Sequence, residues 1–195
     1  MFDYKAYFDA YCRQENFRLH LSIDMPPGYQ EANGTFDVTA RTVFINETLL
    51  REMPDYEKLF FLFHELRHAS QYLTPEKLST SISRSIPYTI MYDGTCYKLV
   101  DGSYHSCKLD GGEDYFVNLY LGQPYEVDAN AFAYEQVKSI LGDSVGLKKL
   151  YSAWMPAQPI AQESYESVYE LIDEKLGFTA SRNTTEKDRP ERAAR

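Results

Sequence analysis

The run Asp55–Leu73, DYEKLFFLFHELRHASQYL, contains neither glycine nor proline, and it constrains the fold of this chain more than any other segment. It opens with an acidic residue directly after Pro54 and stops before Thr74 and Pro75, so both ends carry helix-boundary signals. Five successive apolar residues, Leu59, Phe60, Phe61, Leu62 and Phe63, cover every side of such a helix. A helix apolar all round is buried on most faces, so the rest of the chain is expected to wrap around this one.

The flanking segments supply the wrapping. Residues 1–15 place Phe2, Tyr4, Ala6, Tyr7, Ala10 and Tyr11 at helical spacing, and 17–23 alternates apolar with polar residues as a strand does. Pro26, Pro27 and Gly28 break the chain, after which 34–38 and 42–45 read as a hairpin. Between 88 and 109 the β-like runs YTIMY and TCYKLV flank Asp93-Gly94, a pair suited to a tight turn, and predict a second hairpin. Helices are predicted over 113–121, 126–141, 147–154 and 164–176, bounded by Gly122, Pro124, Gly142, Pro156, Pro159 and Gly177. The sum is an α+β fold with a mostly helical C-terminal half, in one domain over residues 1–179. Residues 180–195 have almost nothing to bury and are expected to form a disordered tail.

A formal net charge of -9, with no stripe of Lys and Arg, argues against direct nucleic-acid binding, which needs clustered cations to displace counterions. Charged residues interrupt the first segment, and no later run reaches membrane-spanning length, so neither a signal peptide nor a membrane partner is expected. Three cysteines, Cys12, Cys96 and Cys107, fit buried thiols in a reducing, cytoplasmic setting better than a disulfide framework. Cys107 beside His105 is a weaker candidate for a second metal clamp.

Within the central helix lies His64-Glu65-Leu66-Arg67-His68. Residues four apart share a helix face, so both imidazoles can reach one tetrahedral Zn²⁺ at about 2.0–2.1 Å. Glu65, between them, is then placed to act as general base toward a water activated by the metal. Chance produces the pattern in only about one chain of this composition in 150. The competing reading keeps His64 and His68 as partnered core histidines.

A catalytic zinc needs a third protein ligand, and neither other histidine stands at the spacing of the extended motif. Pro124 starts a helix whose first turn holds Glu126, the candidate third ligand; Glu113, Asp114 and Glu135 are its rivals. An oxyanion donor is also required, with Tyr72, Tyr88, Tyr92 and Tyr134 as candidates.

In three features taken in order the chain resembles the ImmA/IrrE-type gluzincin metallopeptidases. They are the strand Thr42-Val43-Phe44-Ile45-Asn46, the segment Phe63-His64-Glu65-Leu66-Arg67-His68, and Glu126-x-x-Ala129-Asn130-x-Phe132-Ala133, within residues 35–141. The resemblance implies a minimal zincin, with a small mixed or antiparallel sheet against the active-site helix and a second helix supplying the glutamate. It also implies an intracellular regulatory or mobile-element-related protein as substrate, bound as a strand along the sheet edge near Phe44. Where related enzymes often orient a zinc-bound imidazole with an Asp, this chain has Asn130, with Asp128 the nearer carboxylate. The spacer between His68 and Glu126 is longer than the family's usual one and holds the second hairpin. A zinc-stabilised binding module without turnover is the alternative from another class.

Overall fold

The computed structural model describes residues 2–178. In chain order the elements are α1 (Tyr4–Glu15), β1 (His20–Ser22), β2 (Gly34–Asp37), β3 (Thr42–Ile45), α2 (Glu47–Leu50), α3 (Asp55–Leu73), α4 (Thr80–Ser85), β4 (Tyr88–Ile90), β5 (Thr95–Val100), β6 (Ser103–Lys108), α5 (Glu113–Leu121), α6 (Pro124–Leu141), α7 (Val145–Ala153) and α8 (Gln162–Leu176), with a 3-10 turn at Pro75–Lys77. The fold is α+β with a helical C-terminal half, as the periodicities imply. The expected tail, 180–195, lies outside the described residues. Among the described residues no helix is long and apolar enough to cross a membrane.

α3 is the axis. Its buried residues run through Leu59, Phe60, Phe61, Leu62 and Phe63 to Leu66 and Ala69, so every face is covered for two turns. α1 packs Tyr4, Phe8 and Tyr11 against it, and β3 contributes Val43 and Ile45. α6 lies along α3 because Ala129 and Ala133, both fully buried, let the two backbones approach closely.

The first sheet has the order β1-β3-β2, with β1 parallel and β2 antiparallel to β3. Phe44 therefore sits in the middle strand. Both of its neighbours are edge strands, and Phe44 pairs with Ser22 of β1 on one side and with Thr35 of β2 on the other.

The second hairpin is in fact a three-stranded meander, β4-β5-β6. β6 escapes a reading by alternation because five of its six residues are exposed on either face. Its turn does carry a signal: Asp101 at φ 49° and Gly102 at φ 79° form the second Asp-Gly turn of the segment. A second core forms where β4 and β5 meet α5 and α8, built from Ile90, Cys96, Phe116, Leu119, Tyr165 and Ile172, with Tyr88 stacked on Tyr169 at 4.3 Å. Gln123, fully buried, ties this region to α6 by accepting from the Ile90 amide at 2.9 Å.

Candidate metal centre

One helical turn separates His64 from His68 on α3, and Glu126 enters from the first turn of α6, where the helix dipole favours a carboxylate. One donor atom from each of these three residues lies within 4.8 Å of the others. The two Nε2 atoms are 2.9 Å apart, and a Glu126 oxygen is 3.3 Å from His64 Nε2 and 3.6 Å from His68 Nε2.

Outside this triad, hydrogen bonds decide which ring nitrogen faces inward. Asn130 donates through Nδ2 to the Trp154 carbonyl at 2.8 Å, which turns its Oδ1 to accept from His64 Nδ1 at 2.9 Å. Gln71 donates through Nε2 to the Tyr125 carbonyl and to Asp128, both at 2.8 Å, so its Oε1 accepts from His68 Nδ1, also at 2.8 Å. With both Nδ1 positions donating, neutral imidazoles would turn both Nε2 lone pairs toward each other and toward a carboxylate. Two lone pairs and a negative charge converging in a buried space repel unless a cation sits among them, so this donor set fits a metal ion.

The electrostatics agree. Burial alone would raise the Glu126 carboxyl, but the imidazoles, His68 foremost, outweigh it and hold the group well below the usual carboxylate range. Burial pulls the His68 imidazolium down, yet Glu126, Glu65 and Gln71 outweigh that and push it up to about 9. A site this attractive to a proton attracts any small cation that soft or borderline nitrogen donors accept.

Glu65 is buried beside the triad, and burial raises its carboxyl, opposed by His64 and His68 and reinforced by Glu126. Among the described residues no hydrogen bond ties up its carboxylate, which stays available to take a proton. Gly34 makes the room: a Cβ there would lie 2.8 Å from Glu65 Cγ and 3.0 Å from the Phe44 carbonyl oxygen. His64 and Glu65 face a narrow cavity of about 80 Å³ whose other lining includes Gly34, Tyr120 and Trp154. A larger cavity, about 640 Å³, lies elsewhere, between the starts of α1, α2 and α3, and contains none of the triad.

Glu126 is the carboxylate that joins the histidines; Glu113, Asp114 and Glu135 are all exposed. Asn130 contacts His64 directly. Asp128 reaches no imidazole: Arg67 grips it at 2.7 and 3.0 Å, and it touches His68 only by way of Gln71. His105 and Cys107 gain no third donor among the described residues, and all three cysteines are free thiols.

Two residues escaped the sequence reading. Gln71 stands three positions after His68, a spacing that puts both side chains on one face, and that was the available signal. Tyr120 lacks any such pattern, one of seventeen tyrosines. The Glu126 carboxylate, burial and Glu65 together raise its phenol well above the ordinary value, so it remains a proton donor at neutral pH. Of the tyrosines singled out from sequence, Tyr88 and Tyr134 donate to Asp173 and Asp143, and Tyr72 donates to the Ile86 carbonyl while its phenol still feels the Glu126 charge. Comparison of the chain with protein-family models, with curated proteins and with solved structures finds no match.

Proposed function

We propose that this protein is a zinc-dependent metallopeptidase that hydrolyses a peptide bond in an intracellular, regulatory or mobile-element-related protein. The observation that carries the reading is the convergence of two imidazole lone pairs and the Glu126 carboxylate beside a buried, unbonded Glu65. His64, His68 and Glu126 would hold the ion, which when bound polarises a carbonyl and activates a water near neutral pH. Glu65 takes the proton of the attacking water as the new C–O bond forms. It then delivers that proton to the departing amine as the C–N bond breaks. Tyr120 remains protonated and donates to the carbonyl oxygen as charge develops there. An extended substrate adds to the open edge of β2, whose Gly34 already lies against Glu65.

One observation favours the second reading, a metal-stabilised module without turnover: the cavity beside Glu65 holds only about 80 Å³. Elemental analysis paired with cleavage of denatured casein and a peptide library separates the two. The peptidase reading expects zinc in both wild type and Glu65→Gln and cleavage by wild type alone. Zinc in both with cleavage by neither selects the module, and equal cleavage by both removes Glu65 as the base.

A further inference from the structure

The narrow cavity at Glu65 has a neighbour. Asn33, Tyr120 and Trp154 line it and also line a second cavity of about 310 Å³, so the two adjoin at those three residues. The second cavity is walled by Tyr92, Val117, Tyr120, Leu121 and Trp154, with Glu31 as its one charged side chain. A space of this volume and lining suits a large apolar group with one end polar.

Its walls are held in place before any ligand arrives. Tyr165 donates to the Leu119 carbonyl at 3.0 Å, and Asn118 bonds the backbone of Gln158 in both directions, at 2.9 and 3.0 Å. These contacts brace α5, which carries Val117, Tyr120 and Leu121. Trp154 is fixed from both sides, since its ring meets Phe61 edge-on at 5.5 Å and its carbonyl accepts from the same Asn130 that holds His64. Tyr92 meets Tyr120 edge-on at 5.8 Å. A preformed apolar wall sharing residues with the metal pocket is a specificity pocket in the physical sense, because filling it requires little ordering of the protein.

We infer that this cavity receives the side chain of the substrate residue flanking the scissile bond, and that it selects a large aromatic or branched apolar side chain. The inference rests on the metallopeptidase reading and adds the substrate class to it. Glu31 adds a bias of sign: a carboxylate on the incoming side chain meets like charge, in a chain whose net charge is already -9. Burying an aryl group in such a pocket is worth roughly tenfold to a hundredfold in affinity.

Three hydroxamates test this on the full-length, zinc-loaded protein: acetohydroxamate, 3-phenylpropanohydroxamate and the para-carboxylate of the latter. Trp154 is the chain's single tryptophan, so its emission reports on the pocket directly. The phenyl probe should bind at least tenfold more tightly than acetohydroxamate and shift the Trp154 emission, and the carboxylated probe should lose most of that gain. Val117→Glu, at a position already partly exposed, should bring the phenyl probe down to the affinity of acetohydroxamate. Equal affinities for the first two probes, or a phenyl probe that leaves Trp154 unmoved, overturn the pocket assignment and leave the metal reading standing. If no hydroxamate binds the zinc-loaded protein, the metallopeptidase reading fails and takes this inference with it.

Discussion

The two hydrophobic cores differ in what they bury along with their apolar side chains. Around α3 and α6 the buried groups include Glu65, His68, Ser70, Gln71, Glu126 and Asn130, whereas the region of β4–β6, α5 and α8 buries Gln123 and stacked tyrosines. Burying polar and charged groups is costly unless each is partnered. In the first region the partners are one another, in a chain running from Arg67 through Asp128 and Gln71 to His68, and from Trp154 through Asn130 to His64. The contrast is between a region that gathers donors able to hold a cation and one that buries few polar groups and contributes α5 as a wall of the cleft.

The sharpest way to break that contrast is at Glu65. Glu65→Gln should lower kcat/KM by about 10²–10⁴-fold with Tm and zinc content unchanged, measured by peptide hydrolysis, calorimetry and elemental analysis. A fall in zinc content would make Glu65 part of the cation's cradle instead of the base.

Hydrogen exchange compares the regions directly. Zinc at a hundredfold over Kd adds about 2.7 kcal/mol to the states that retain the site, which is about hundredfold in amide protection. That gain should appear in α3 and α6 and be smaller in β5 and β6; a uniform gain would mean that the two regions open only together.

Two fully buried glutamines offer a matched pair. Gln71→Ala should weaken zinc binding by about 10–100-fold, because His68 loses the acceptor that fixes its tautomer. Gln123→Ala removes the tie to Ile90 and should lower Tm while leaving zinc affinity within about twofold. Titration with zinc against a competing chelator reads both variants, and a Gln123 variant that loses zinc as readily as the Gln71 variant would erase the distinction.

The most gradual effect, about tenfold per pH unit, is the pH dependence. Zinc needs an unprotonated His68 Nε2, and this imidazole is pushed up to about 9, so below that value each unit of acidification should cost about tenfold in zinc affinity. In chelated protein the sign reverses. A histidine raised above its ordinary value of about 6.5 stabilises the fold fully below that pH and loses the contribution as pH climbs through about 9. The gap in Tm between zinc-loaded and chelated protein should therefore widen from pH 6.5 to 9; a constant gap would remove His68 from the linkage.

Much of this was legible because local rules and tertiary demands coincide there. The bounds Asp55–Leu73 and Glu113–Leu121 follow from Pro and Gly punctuation that the packing leaves untouched. His64 and His68 follow from their spacing on one helix, whereas Glu126 was legible as a first-turn carboxylate after Pro124 and through the family resemblance, with three rivals left open. What escaped depends on which strand lies outermost and which side chain meets which across the chain. β6 has no buried face to print a period, and strand order alone makes β1 and β2 the edges and β3 the middle strand. Tyr120 matters only because α5 folds back to within electrostatic reach of Glu65 and Glu126.

A crystal of the zinc-soaked protein measured at the zinc absorption edge should show one strong anomalous peak, about 2.0–2.2 Å from His64 Nε2, His68 Nε2 and a Glu126 carboxylate oxygen, with Glu65 close by but not coordinating. No peak between those three side chains, or a peak bound by other residues, would contradict that ligand set.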